Sequence, residues 1–436
     1  MSETFEATLS ARVDDMIDAC TRCGKCVEAC PVTTAAGVLA QPQAVVEGLI
    51  DILRSGDGAE DARKWASSCV QSGECIQACD YGVNPRFLIA MARVSMAGKK
   101  SDASERRRKG VEGFRRISRD ANYLMRMQLD DALLERLGQK PAKNPSPRAQ
   151  KPDFIFYTGC NVLKTPHIAL LALDIMDALG VSYEVMGGPA HCCGVQQLRA
   201  GDTTTLGRVG EVAIDKLASG NGQVLAWCPS CYVQYTETTL PTVERMRGTR
   251  PFEMTPWMRF LGENIDRLKP FLKTPVNMRV ALHRHPGVPG AMEAAEKLLC
   301  ATSGVELVDL GQPGIGLMSN SLAAVPEHKR KLYRAELDAA QAANIDALLA
   351  VYHADHRELC AHEAEYDFRI MNVLEIVGES MGLHHDDHYK HFKLMQDIDM
   401  IAADCEDLSA AHGLDKATAR EVIAAMLADQ PVPINR

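Results

Sequence analysis

From Asp153 to Tyr352 the chain alternates short apolar runs with longer segments of helical periodicity, and it does so twice. The first pass predicts a strand at Phe154–Thr158, a helix at Pro166–Leu179, a strand at Val181–Met186, a helix at Thr203–Ala218 and a strand at Val224–Trp227. The second predicts the same order: Arg279–Leu282, Met292–Ser303, Val305–Leu310, Pro326–Ala343 and Leu348–Tyr352. Apolar runs of four to six residues bounded by turn formers fit buried strands, and the intervening stretches have helical length and spacing. Strands alternating with helices imply a parallel sheet covered by helices, so the segment reads as a duplicated α/β unit. Upstream, Phe5, Leu9, Val13 and Ile17 recur at near-helical spacing, and Gln43–Arg54 and Pro85–Met96 are further helices. The expected class is therefore α+β overall, a helical domain followed by an α/β domain of two pseudo-repeats with parallel strands.

A length of 436 residues suits two or three domains. The boundaries expected are 1–98, a basic helical linker at 99–152, an α/β domain at 153–395 and a helical tail at 396–436. Lys99 to Lys151 holds 15 Lys and Arg against 7 Asp and Glu and ends in the proline-rich run from Pro141 to Pro152. It reads as a solvated helix and linker, with a docking surface for an acidic partner as the sharper reading. The whole chain carries a net charge of −9, which gives no footprint for nucleic acid. No apolar run approaches a membrane span, and residues 1–19 carry acids where an export signal carries Lys and Arg. A cytoplasmic compartment is expected, peripheral to a membrane only through a partner. There, 15 cysteines point to metal ligation rather than disulfides.

Five of those cysteines follow the strands of the first repeat. Cys160 follows the first, Cys192 and Cys193 the second, and Cys228 and Cys231 the third; 31 residues separate Cys160 from Cys192 and 34 separate Cys193 from Cys228. Open α/β sheets build their sites at carboxyl strand ends. Five thiols exceed the needs of tetrahedral zinc, and clustered soft ligands select iron and sulfide. The Cys-Cys-Gly pattern resembles the CCG domain of the catalytic heterodisulfide reductase subunits. That resemblance implies a noncubane [4Fe-4S] cluster at Cys160, Cys192, Cys193, Cys228 and Cys231 that makes or cleaves disulfides, with Cys192 and Cys193 at its catalytic center. Family members often carry two complete motifs. Here the second repeat has His283-Arg284-His285 and His353-Ala354-Asp355-His356 instead, and its loop Gly311–Gly316 holds no cysteine pair. A second noncubane cluster is therefore not expected. His353, His356 and Cys360 share helical spacing and could face one metal, but the histidines read rather as remnants of a lost cluster site or as lining the substrate pocket of the intact one, while His384, His385, His388 and His391 read as a polar tail.

Near the amino terminus, Cys20, Cys23, Cys26, Cys30 and Pro31 form an unbroken bacterial ferredoxin run, and a second run reads Cys69, Ser72, Cys75, Cys79. In two-cluster ferredoxins the fourth cysteine of each run serves the other cluster. A [4Fe-4S] cluster is thus expected on Cys20, Cys23, Cys26 and Cys79. The second takes Cys30, Cys69 and Cys75 with Ser72 in the fourth place, either [3Fe-4S] or an atypical [4Fe-4S]. The two halves together resemble the small ferredoxin-like and the CCG subunits of heterodisulfide reductase fused in one chain. This resemblance implies an oxidoreductase subunit acting on sulfur groups within a complex. Its partners would be a flavoprotein or other electron-transfer subunit, one of them possible in the membrane, and its substrate a disulfide, thiol or sulfur carrier. Two further readings are an electron conduit in a glycolate- or lactate-type oxidation complex and a zinc-binding assembly module.

Overall fold

The computed structural model describes residues 4–141, 151–314 and 324–434, so most of the proline-rich run and the end of the Gly311–Gly316 loop lie outside the described residues. Both repeats form. Strands β1 (Phe154–Tyr157), β2 (Tyr183–Met186), β3 (Gln223–Ala226) and β4 (Glu253–Pro256) make one sheet in the order β2-β1-β3-β4. Strands β5 (Met278–His283), β6 (Val305–Val308), β7 (Ala347–Ala350) and β8 (Arg369–Asn372) make a second in the order β6-β5-β7-β8. Every pairing is parallel. The fourth strand of each sheet is the one the apolar pattern does not announce: Glu253-Met-Thr-Pro256 and Arg369-Ile-Met-Asn372 each mix polar and apolar residues too briefly to stand out.

The repeats interlock reciprocally. The helix after β4, Trp257–Glu263, packs on the first helix of the second repeat, Ala291–Ala301, and the helix after β8, Val373–Met381, packs on the first helix of the first repeat, Pro166–Ala178. Each crossing uses a glycine at the contact: a Cβ on Gly262 would meet Ala294 at 2.7 Å, and one on Gly378 would meet Leu171 at 2.9 Å. Helix Pro166–Ala178 is buried on nearly every side, which explains a sequence (Ile168-Ala-Leu-Leu-Ala-Leu173) too apolar for a helix with a solvent face. One hydrophobic core therefore runs from Phe156 and Leu225 through Leu171 to Leu349 and Leu374.

The amino-terminal segment is helical: Phe5–Ala19, Pro42–Ser55, Glu60–Ser68 and Pro85–Lys100, with single turns at Lys25–Glu28 and Glu74–Gln77. The Asn84 side chain accepts from the Phe87 amide at 2.9 Å, and Pro85 occupies the first helical position, so this helix starts where both rules place it. The segment shares a core with the first sheet, with Phe87 and Leu49 in the same cluster as Tyr157, Leu206 and Val224. Two buried arginines tie the halves. Arg12 donates to the carbonyls of Glu237 and Thr238 at 2.8 and 2.9 Å and to Thr242 Oγ1 at 2.7 Å, across a π-type turn at Gln234–Thr239. Arg86 forms a bidentate pair with Glu237 and also donates to the Gln71 and Gly287 carbonyls at 2.8 and 3.1 Å.

Removing one partner of a buried, fully bonded ion pair costs about 3–5 kcal/mol. Arg86→Met is thus expected to lower the free energy of unfolding of the cluster-loaded protein by that order, read by urea denaturation. Unchanged stability would mean that the pair does not join the two halves.

Candidate metal centres

The two ferredoxin-type runs fold alike. Arg22 and Gly24 in the first loop and Gln71 and Gly73 in the second all take left-handed φ, from 58 to 85°. For Arg and Gln this conformation is uncommon, and its recurrence at equivalent positions means that both loops curl around something. Ser72 stands where Cys23 stands in the first. The thiols pair across the runs. Cys20, Cys23, Cys26 and Cys79 line one small cavity walled by Val46, Leu49 and Tyr81, while Cys30, Cys69, Ser72 and Cys75 line another walled by Trp65, Val70 and Ile89. Burial pushes the Cys26 thiol up to about 12 and raises Cys69 and Cys75. Thiolates are therefore costly here unless a metal takes the proton's place. Apolar walls, converging soft donors and loops that keep side chains out of the center fit iron–sulfur groups at both places.

The five CCG residues also meet. Strand order changes direction between β1 and β3, and Cys160, Cys192, Cys193, Cys228 and Cys231 all line the cavity at the carboxyl ends of these strands. Cys193 and Cys231 lie 3.4 Å apart, Sγ to Sγ. Gly159 is left-handed at φ 72°, and a Cβ there would meet Cys228 Cβ at 2.8 Å, so the backbone before Cys160 can pass only as glycine. Burial pushes Cys160 up to about 12, with Cys193 and Cys228 adding to the shift. Five soft donors, three buried and two half-buried, with no disulfide among them fit an iron–sulfur group better than zinc.

This cavity has a volume of about 570 Å³, against about 30 and 10 Å³ at the ferredoxin-type sites. It therefore holds room for a second molecule beside a cluster. Its far walls come from segments that sequence reading left at the periphery. Phe114, Arg116, Ile117 and Asp120 belong to the basic helix Ala103–Arg126, and Val422, Met426 and Asp429 to the carboxyl-terminal helix Lys416–Ala428 and the residue after it. Only one face of the basic helix is solvated; the other packs on the helix Val195–Ala200 that follows the cysteine pair. Lys164 and Arg357, both largely buried, line the cavity with Arg116 and Arg199. Burial, reinforced by Arg357, lowers Lys164 to about 8.

The second repeat holds no thiols at the carboxyl ends of β5 and β7. His283 Nδ1 lies 2.7 Å from Glu336, and Glu358 is bound by Lys329 at 2.8 Å and by the Tyr333 hydroxyl at 2.7 Å, all buried. His353, His356 and Cys360, which helical spacing would align on one face, diverge. The helix spans only His353–Leu359, and His356 turns away to Asp387 at 2.6 Å while Cys360 lies in the next, tighter turn. His353 points instead into the CCG cavity. Its Nδ1 lies 3.2 Å from the Trp227 indole nitrogen, which can only donate. The neutral ring thus carries its proton on Nε2, and His353 adds to Cys231 in holding the Cys228 thiol low. Of the tail histidines, His385 pairs with Asp174 at 2.7 Å and His384 and His391 are exposed; no group of three potential ligands forms from them among the described residues.

Comparison with known proteins agrees with this division. A profile for a 4Fe-4S dicluster domain matches residues 12–84, and one for a cysteine-rich domain, CCG, matches residues 154–236. The chain is a two-part iron–sulfur protein. Two of its relatives are corresponding subunits of dihydromethanophenazine:CoB–CoM heterodisulfide reductase. The one from Methanosarcina mazei is 25% identical and the one from Methanosarcina barkeri 24%, each with 84% of this chain and 94% of the relative covered. A third, from the fumarate reductase (CoM/CoB) of Methanothermobacter marburgensis, is 21% identical over 82% of this chain and 71% of its own length. In both domains and in their order the chain is thus similar to these iron–sulfur subunits of heterodisulfide reductase.

The pairing across the two runs predicts that Cys79→Ala removes the same center as Cys20→Ala and leaves the other reducible. Electron paramagnetic resonance of the dithionite-reduced variants reads this. Loss of the second center by Cys79→Ala would contradict it.

Proposed function

We propose that the protein carries electrons one at a time through two ferredoxin-type clusters to or from a noncubane [4Fe-4S] cluster at the five CCG thiols, where a disulfide and its thiols interconvert. The observation that carries this is the cavity beside Cys160, Cys192 and Cys193, larger than a cluster needs and lined with cations. An iron–sulfur group bound there supplies a center that accepts a sulfur ligand and spans the two one-electron steps that a disulfide requires. The protein does the rest. Five thiolates would hold the group, His353 favors the thiolate form of Cys228, and Lys164, Arg357, Arg199 and Arg116 favor a substrate bearing carboxylate, sulfonate or phosphate, with Asp120 and Asp429 at the same wall. The balance is one disulfide, two electrons and two protons against two thiols. A relative named for a CoB–CoM heterodisulfide supports a disulfide as the substrate class, and the cavity cations favor an anionic one. Burial of the cluster against a flavin subunit would favor a pure conduit; Arg116, Lys164, Arg199 and Arg357 at this cavity favor an anionic substrate instead.

The order of transfer follows from position. The Cys30, Cys69, Cys75 and Ser72 site adjoins the CCG site: Gln71, between Cys69 and Ser72, is bonded to Arg86, which is bonded in turn to Gly287, two residues from His285 at the cavity wall. The Cys20 site lies outermost, with Cys23 exposed and Tyr81 55% exposed beside it. That face suits a flavoprotein or another electron-transfer partner. With three thiolates and a serine, the inner site favors [3Fe-4S], and cluster type sets its potential apart from its neighbor. Among the described residues no helix is long and apolar enough to cross a membrane, so a membrane partner would be a separate chain.

Cys193→Ala is expected to abolish disulfide-linked turnover while the amino-terminal clusters stay reducible; turnover retained with a small anionic thiol would remove the CCG site from the chemistry. Lys164→Met should raise KM for an anionic disulfide about tenfold, worth about 1.4 kcal/mol, with kcat much less affected. An unchanged KM would mean that the cavity cations do not bind the substrate. Ser72→Cys should add about one iron per chain and remove a [3Fe-4S] resonance from the oxidized protein. An identical spectrum and iron count would place residue 72 off the cluster.

A further inference from the structure

Behind the helix that carries His353 and Arg357, a second group of donors converges with no thiol in it. His167 stands on the first turn of helix Pro166–Ala178, His356 on helix His353–Leu359, Glu375 on the first turn of helix Val373–Met381, and Asp387 at the amino cap of helix His388–Met395. One donor atom from each lies within 4.8 Å of all the others. His356 Nε2 is 2.6 Å from Asp387 Oδ2, His167 Nδ1 is 3.4 Å from Asp387 Oδ1, and His167 Nε2 is 4.0 Å from Glu375 Oε2. His167 is 1% exposed, yet neither ring nitrogen makes a hydrogen bond.

That combination is odd for packing alone. A buried imidazole with both nitrogens unpaired is a poor core residue, and apolar positions are abundant on the same helix. Burial keeps His167 toward its neutral form, and even with His356 drawn toward protonation by Asp387 the two carboxylates leave net negative charge, in a place that Lys390 balances only in part, since its Nζ is held by Glu363 at 3.0 Å and the Ile370 carbonyl at 3.1 Å. A divalent cation would take the free imidazole lone pairs and the charge together. Four protein donors, two nitrogen and two oxygen with no thiolate, are ligand types and a ligand number that zinc takes.

We propose that His167, His356, Glu375 and Asp387 bind one zinc ion, which fastens both repeats and the carboxyl-terminal segment to each other behind the CCG cavity. Each ligand comes from a different helix, so the ion would fix the wall that presents His353 and Arg357. It is independent of what occupies the five-thiol site.

The test uses anaerobically purified, cluster-loaded protein, incubated with zinc chloride and desalted. Element analysis is expected to give one zinc per chain beyond the cluster iron. Zinc-edge X-ray absorption should show only nitrogen and oxygen neighbors at about 2.0–2.2 Å. His356→Gln and Asp387→Asn should each lose the zinc while iron, sulfide and cluster resonances persist, and a chelator should lower the thermal midpoint of the wild type but not of the variants. Substoichiometric zinc, or a shell containing sulfur at about 2.3 Å, would overturn the proposal. So would zinc, or an unchanged shell, in both variants. The absorption measurement needs no variant, so a folding defect in either leaves the proposal open to refutation.

Discussion

Five thiols in one buried cavity are the constraint on which the rest of this structure depends. Burial, with Cys193 and Cys228 adding to it, raises Cys160 to about 12, so at neutral pH that thiol becomes a ligand only when a metal group replaces its proton. Donors from three separate loops must then arrive together. The sheet supplies this by reversing strand order between β1 and β3, and the left-handed Gly159 lets the backbone pass against Cys228. The amino-terminal segment meets the same demand differently, with two loops of matching left-handed residues that exchange their last cysteine between two cavities.

Duplication of the α/β unit gives the site its walls. Each repeat lends its final helix to the other across a glycine contact, so neither is a free-standing layer. The second repeat keeps the sheet order of the first but uses its strand ends differently. Around β5 and β7 it buries a bonded set of His283, Glu336, Lys329, Glu358 and Tyr333, and it turns His353 across to Trp227 and Cys228. A hydrogen bond to a cluster sulfur is one of the few means by which a protein tunes such a center. The degenerate repeat thereby contributes to the site of the intact one.

Much of this was legible in the chain before folding. Strands β1, β3, β5 and β7 stand out because central parallel strands are continuous apolar runs, the edge strands β2 and β6 because short apolar stretches follow a helix and a turn, and the thirteen ligand candidates because their spacing has no packing rationale. The edge strands β4 and β8 were not legible, since four residues of mixed polarity carry no period. Nor were the cavity walls: Phe114, Ile117, Val422 and Met426 look like ordinary amphipathic stripes, and only tertiary packing brings residues some 300 positions apart to one surface. Helical spacing also misled at His353, His356 and Cys360, because a helix wedged between two sites gives its neighboring positions to different ones. His167 had no signal at all; a lone histidine on an apolar helix looks like core.

The central claim is that sulfur from a substrate reaches the group held by the five CCG thiols. Electron paramagnetic resonance of the oxidized, ⁵⁷Fe-enriched protein, before and after a small anionic thiol is added, tests it most directly. The account predicts a new thiol-dependent resonance broadened by ⁵⁷Fe while the two ferredoxin-type centers are unaltered. A spectrum indifferent to thiol, in protein whose other clusters titrate normally, would contradict it and leave the protein an electron conduit.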